Sequence, residues 1–505
     1  MLCEIFLEGG LSREYNKNSV SAFIYCMKRT LYPIFILLLC ISTLLVSCID
    51  DSFSTSPNDV LEFSADTISL DTIFTNEGTA TRTLKVYNRN NKSLNISSIT
   101  LGKGGSSGFI VNVDGLSGTS FTDTEIRGND SLFIFVIANV AENGEPGLTD
   151  VRDSLVFVTN GVKQHVKLLA RTQDAKRMRA VTIHSDTLLT ADTPFIVYDS
   201  LVVAPNVTLT IEPGATLYFH NSATLEVYGR LLAEGVPDAP VTMRGDRLDR
   251  MFDNLPYNNL AGQWGGIRFH EGSFDNRITH AMVRGMTWGI KCDSTDLSQT
   301  TLTIHNSIIH NSTDNLIDIA CNRVRITNSE LSDAGYSVLH IHKGIVDVTH
   351  CTIVNYYFYD MIRGAIVATP SCEELIEWGV HLTLNNCLIA GNASPLSEGD
   401  FTGSDVYLNS CLIAGVEGSD DANFIHTMWN GEPMFWLIER ENYLYDYRLG
   451  SEESSAIGWG AVAYVSDSTA TDMYGASRTE RVDVGAYQFT ETSPFYQEEE
   501  NKEEK

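Results

Sequence analysis

Basic side chains are scarce in this chain: 35 Lys and Arg stand against 64 Asp and Glu, a formal net charge of −29 over 505 residues. A surface of that sign repels nucleic acid and anionic lipid, which excludes polyphosphate partners and leaves neutral glycans, cations or another protein. Long helical periodicity is also missing. Outside one run near the N-terminus, no stretch is apolar enough to span a bilayer. Ten cysteines are present, yet Cys292, Cys321 and Cys372 fit no metal-ligand spacing. What the chain does contain is aromatic and β-branched residues in short alternating runs, which argues for an all-β body. Its length predicts two or more domains.

Residues 27–48 begin Met-Lys-Arg, continue through an apolar run and end Leu45-Val46-Ser47-Cys48. An apolar run this short, closing in small residues, is a cleavable signal rather than a spanning helix. Leu45-Val46-Ser47-Cys48 resembles the bacterial lipobox, which implies a signal peptide over 27–47 and lipidation of Cys48. Residues 1–26 lack signal character and are read as an upstream extension, with Met27 as the start. Cys3, Cys26 and Cys40 then never reach the mature chain. Asp50 and Asp51 resemble the acidic export tag of surface lipoproteins of the Bacteroidetes. That resemblance implies a palmitate-type anchor in the outer membrane, exposed at the cell surface. Several acyl chains hold stably, since each buried CH₂ contributes about 0.8 kcal/mol.

Residues 48–60 form the lipid-bearing Cys and a polar linker. From 61 to 172, short alternating strands such as Leu84/Val86, Phe109/Val111/Val113 and Val166/Leu168 are separated by Asn/Gly turns including Asn88-Arg89-Asn90-Asn91. This pattern predicts an immunoglobulin-like sandwich, and it resembles the Ig-like modules of Bacteroidetes lipoproteins. No catalytic or metal-ligand spacing occurs in it, so a spacer or docking module is expected.

Internal repetition dominates the remainder. Segments beginning at Leu302, Val324, Val346, Leu382 and Val406 align as LTIHNSIIHN, VRITNSELSD, VDVTHCTIVN, LTLNNCLIAG and VYLNSCLIAG, with a weaker copy at Asn276. Each is read as two short strands around a tight bend, repeating at the length of one coil of a parallel stack. One column runs Asn306, Asn328, His350, Asn386, Ser410, residues suited to a left-handed bend. The next runs Ser307, Ser329, Cys351, Cys387, Cys411, a small inward stack whose parallel geometry is awkward for a disulfide. A third, Asn311, Asp333, Asn355, Gly391, Gly415, again suits positive φ. The longer spacing after Val346 implies an insertion near 356–380, expected to project as a loop. The coils from Leu209, Leu225, Val241 and Trp264 resemble the opening of pectate-lyase-like proteins. Asp472, Gly475, Arg478 and Asp483–Tyr487 resemble their closing motif. The resemblance implies a right-handed parallel β-helix with a closing cap over 180–488, followed by an acidic disordered tail over 489–505.

This architecture hosts lyases, hydrolases, adhesins and inert scaffolds, so fold does not give activity. The Gly-His-Gly of the hydrolases is absent, and Asp420-Asp421 falls in a Gly/Ser loop; no catalytic residue is assigned. The nearest constellation is Asp318 with His340 and His342 one coil on. Alternation sends Ile317, Ile319, Leu339 and Ile341 inward and sets the three polar residues together outside. Such a triad could hold a metal or a sugar, and it also arises as a plain solvated ladder. No metal or cofactor is assigned. Tyr357 and Tyr359, with Trp429 and Trp436, lie in non-repeating segments, as further binding candidates or as plugs for the side or end of the stack. The expected function is a binding or scaffold module, holding a glycan or docking beside an outer-membrane β-barrel complex. The alternative is a polysaccharide lyase or glycoside hydrolase.

Overall fold

The computed structural model describes residues 52–145, 147–252, 254–358, 364–368, 379–393, 395–396 and 404–490. Cys48, Asp50, Asp51 and Tyr359 lie outside them, as does most of the 489–505 tail. Among the described residues the chain is all-β: strands and short 3₁₀ turns, with no α-helix.

The N-terminal unit consists of two five-stranded sheets around one core. One sheet runs Glu62–Phe63, Arg82–Tyr87, Ser131–Ala138, Phe109–Val113, Leu116–Gly118. The other runs Thr67–Phe74, Val162–Gln173, Leu148–Thr159, Leu94–Leu101, Ser120–Ile126. Pairing is antiparallel except between Thr67–Phe74 and Val162–Gln173, which run parallel. Period-two alternation brings Leu84, Val86, Ile96, Phe109, Val111, Ile134, Phe157 and Val166 into the shared core. Each such side chain contributes about 1.5–3 kcal/mol by leaving water. At the expected 88–91 turn, the buried Asn88 amide donates to the carbonyls of Lys92, Ile126 and Arg127. Phe74, Ala175 and Ile196 pack as a small joint between this unit and the strands that start at Lys176.

From Lys176 onward the chain stacks its strands in parallel in sheets of 10 and 17 strands, an arrangement consistent with a parallel β-helix. Two short antiparallel pairs, Arg250–Phe252 with Leu255–Pro256 and Phe435–Glu439 with Leu444–Leu449, lie outside those sheets. The 17-stranded sheet is two ladders joined through Phe195–Val203, whose first half pairs with one ladder and whose second half pairs with the other. Each full coil therefore crosses three ladders. In the first, Ile304, Ile326, Val348, Leu384 and Leu408 stack rung on rung, which is the register the repeats predict. The second carries the other half of each repeat: Ile308–Ser312, Glu330–Ala334, Thr352–Asn355, Leu388–Gly391. The third adds a strand that two-strand repeats do not include, among them Ile290–Cys292, Ile317–Ile319, Leu339–Ile341 and Ile366–Ala368. The last of these comes from the 356–380 insertion, so part of that stretch belongs to the stack instead of projecting as a loop.

The bend between first and second ladders turns in one residue, which must take positive φ. Asn306, Asn328, His350, Asn386 and Ser410 do so, at φ 48 to 53. Their amides bond up the column, Asn328 to Asn306 and Asn386 to the His350 ring. Ser307, Ser329, Cys351, Cys387 and Cys411 are all buried inside, the thiols free. Burial pushes the Cys387 and Cys411 thiols well above their ordinary range. The third column divides: Asn311, Asp333 and Gly415 take positive φ, whereas Asn355 and Gly391 do not. Asn355 instead uses its side-chain oxygen to accept from Ala334 N and Tyr357 N, at 3.2 and 3.3 Å.

Residues 430–490 fold back over the outer face of the second ladder. A hairpin of Phe435–Glu439 with Leu444–Leu449 leads into an irregular strap that packs Tyr447, Leu449, Met473, Val484 and Tyr487 on Val354, Leu388 and Leu412. Covered on both faces, these second-ladder strands lose the alternation that marks the first. The Asp472–Tyr487 motif thus lies along the side of the stack. Gly485 takes φ 98 there and gives its N–H to Asn386 O, where an added Cβ would meet Thr352 Oγ1 at 2.7 Å. The end of the coil core is met by Val416, Phe424 and Trp429.

Candidate functional site

The third ladder, like the first, leaves its outward side chains uncovered. Its inward residues, Ile267, Phe269, Ile290, Ile317, Ile319, Leu339 and Ile341, are fully buried. Pairing in register then aligns their outward neighbours Glu226, Arg268, Lys291, Asp318 and His340 in one column. A second column beside it holds Tyr228, His270, Asp293, Ala320 and His342. The two are cross-linked: His270 Nε2 meets Glu226 at 2.7 Å, His270 Nδ1 meets Asp293 at 3.3 Å, and Arg268 Nε meets Asp293 at 3.0 Å. Tyr228, 40% exposed, stacks on the His270 ring at 3.8 Å and 5°. Lys291 sits 5.4 Å over the Trp288 ring.

Asp318, His340 and His342 come together as the spacing of the coils predicts. Asp318 Oδ1 lies 3.1 Å from His340 Nδ1 and 3.0 Å from His342 Nε2. The two rings meet edge to face at 4.2 Å. One ligand atom from each residue falls within 4.8 Å of the other two. Burial alone would raise the Asp318 carboxyl, but hydrogen bonds and charge from both imidazoles outweigh it and hold it well below 3.8. Chemically this is an anionic oxygen flanked by two imidazole nitrogens, open to solvent through His342, whose side chain is 38% exposed.

A second group of titratable side chains was not found by sequence reasoning. Arg284, His310, Glu330 and Asp333 project from the second ladder beneath the C-terminal strap. Glu330 accepts from Ser332 Oγ at 2.6 Å and from the Tyr487 hydroxyl, and burial raises its carboxyl. Asp333 accepts from Tyr447 Oη at 2.7 Å and Tyr356 N at 2.8 Å, and burial pushes it up to about 7. His310, bonded to Ser332 Oγ at 2.9 Å, is held well below 6.5 by burial and then by the Arg284 charge. Arg284 Nε is buried without a hydrogen-bond partner. Carboxylates, imidazole and guanidinium together could move protons, but Tyr447 and Tyr487 seal both carboxylates, so the arrangement works as a latch for the strap.

The aromatic candidates are largely absorbed by the fold. Trp429 packs against the end of the core. Trp436 is half-buried in the strap hairpin, and Tyr357 O accepts from Arg440 at 3.2 Å. Tyr228 and His270, which sequence reasoning passed over, are the better placed pair.

No family model matches the chain, and no curated protein matches it. Three solved structures are similar over part of it. A protein of unknown function from Porphyromonas gingivalis W83 is 12% identical over 25% of this chain and 60% of its own, with a TM-score of 0.17. A family 123 glycoside hydrolase from Clostridium perfringens is 9% identical over 24% and 26%, at 0.16. The periplasmic chaperone SfaE is 19% identical over 23% and 58%, at 0.17. The chain thus spans less than two thirds of each, and likeness this slight bears on neither fold nor function.

Proposed function

We propose that the chain is a surface lipoprotein of the Bacteroidetes type that binds neutral glycan along its third ladder. In this reading Cys48 carries the lipid, Asp50 and Asp51 direct export to the cell surface, an Ig-like sandwich serves as spacer, and a right-handed parallel β-helix presents the ligand face. The observation that carries it is the open two-column strip from Glu226 to His342. There hydrogen-bonding side chains held by one another surround an exposed aromatic ring, the lining that sugars require. The net charge of −29 argues against a polyanionic ligand. The enzyme reading draws on Arg284, His310, Glu330 and Asp333, but a group sealed by the strap cannot meet a polymer.

One experiment tests anchor and face together: capture of labelled neutral polysaccharides by cells expressing the chain. Wild-type cells are expected to retain label. Cys48→Ala cells should lose both the protein and the label, while the released protein still binds in solution. Tyr228→Ala should stay anchored and bind about tenfold more weakly, the loss of one stacking contact. Retention of Cys48→Ala in membranes would refute the anchor. Equal capture by Tyr228→Ala would refute the face, and absence of any glycan capture would favour docking to a protein.

A further inference from the structure

We propose that Asp318, His340 and His342 hold a divalent transition metal ion of the zinc class, a deepening that rests on the third ladder being the ligand face. The donor set is one carboxylate oxygen and two imidazole nitrogens, which suits zinc, cobalt or nickel over calcium or magnesium. Donors bonded at about 2.0–2.2 Å around a tetrahedral ion stand about 3.3–3.5 Å from one another. Asp318 Oδ1 already lies 3.1 Å and 3.0 Å from the two nitrogens. A small rotation of His342, the most exposed of the three, closes the set.

A second observation, independent of these distances, comes from Asn315. Its Oδ1 accepts from Ser337 N at 3.2 Å, which fixes the amide and turns its Nδ2 toward His340 Nδ1, also at 3.2 Å. His340 Nδ1 therefore faces a group that can only donate and, in Asp318 Oδ1, a carboxylate that accepts. Neither tautomer satisfies both: a protonated Nδ1 meets the Asn315 N–H, and an unprotonated one meets the carboxylate across the gap. A cation bound between Nδ1 and Oδ1 takes the single lone pair of Nδ1 and ends its opposition to the carboxylate, and the Asn315 N–H then gives up Nδ1 as its acceptor. A neutral imidazole releases no proton on binding an ion, because it carries its hydrogen on its other nitrogen. With three protein ligands the ion keeps an open position, which a sugar hydroxyl can take.

The test is titration of the chelator-treated full chain in detergent with Co²⁺ and no glycan. Visible d–d absorption saturating at one ion per chain, without thiolate bands and reversed by Zn²⁺, is the expected result. His342→Ala, at a half-exposed position, should keep its melting profile and bind at least 100-fold more weakly; Asp318→Ala should do the same. His381→Ala, removing the separate pair with Asp405 at 3.0 Å, should change nothing. No d–d bands, or bands of equal affinity in His342→Ala, would overturn the proposal. Glycan capture that persists in chelator while Co²⁺ fails to bind would remove the metal and leave the ligand face standing. Loss of capture in Tyr228→Ala with Co²⁺ binding intact would separate the two in the other direction.

Discussion

Arg478→Ala is expected to destabilise the folded chain by about 4 kcal/mol and to make the C-terminal strap the first target of added protease. Arg478 is fully buried. Its Nη1 donates to Asn328 Oδ1 at 2.7 Å and to the carbonyls of Thr469 and Thr471, and its Nη2 to those of Gly485 and Ala486. It therefore ties two stretches of the strap, 469–471 and 485–486, to the bend column of the stack. Burial lowers its pKa to about 10, so it stays charged at neutral pH. Truncation takes a donor from four carbonyls and an amide oxygen, of which the Thr471 carbonyl keeps Asn328 Nδ2 at 3.0 Å, and opens a cavity beneath the strap. Lys cannot replace it, because one ammonium with three hydrogens cannot serve five acceptors in two directions. Denaturant melts followed by limited proteolysis read this out. A change under 1 kcal/mol, with the strap still protected, would mean that the apolar contacts hold it alone.

Asp333→Asn is expected to stabilise the chain at pH 8 and leave it unchanged near pH 4. The Asp333 carboxyl sits at about 7 when folded against an ordinary 3.8, chiefly through burial. Because the folded value is raised, the folded state keeps a proton that the unfolded chain has released between these two pH values. The stability present below about pH 4 is then lost as pH rises through about 7. The climb from 3.8 to about 7 corresponds to about 4 kcal/mol at pH 8. Asn tolerates φ 61 and keeps one oxygen for Tyr356 N, while its NH₂ donates to the Tyr447 hydroxyl, which turns to accept, so the substitution removes the charge and reverses one hydrogen bond. Around Asp333 stand Glu330, His310, Tyr356, Tyr445, Tyr447 and Arg440. Glu330 adds a slope of the same sign. His310, held low, adds the opposite one, losing stability as pH falls below 6.5. Subtracting wild type from variant at each pH cancels these background slopes. A difference that stays flat from pH 4 to pH 8 would place the Asp333 carboxylate in a solvated site and contradict the latch.

The sequence disclosed those parts of the fold that repeat at constant spacing. Leu302, Val324 and Val346 head coils of equal length, so the first ladder, the Asn bend and the outward meeting of Asp318 with His340 could all be read directly. Where coil length varies, the columns disappear from view. Glu226, Arg268 and Lys291 share the column of Asp318, yet the loops between them differ in length and no alignment of repeats brings them together. The third strand of each coil is only three residues long, as in Ile317–Ile319 and Leu339–Ile341, too short for periodicity to distinguish it from a turn. The buried acids were hidden for another reason. Tyr447 reaches Asp333 from 114 residues away and Tyr487 reaches Glu330 from 157, so their burial depends on a segment that no local pattern connects to them.

That the open face binds and does not cleave is tested most directly by product release. Neutral and acidic polysaccharides are incubated with the full chain, with and without calcium, and new reducing ends or unsaturated products are followed to substrate depletion or plateau. The expected result is no turnover. Among the described residues no second carboxylate completes a metal-ligating group with Asp318, His340 and His342, and the carboxylates Glu330 and Asp333 lie sealed beneath Tyr487 and Tyr447. Steady product release that disappears in Asp318→Ala or His340→Ala would contradict this account and make the third ladder an active site.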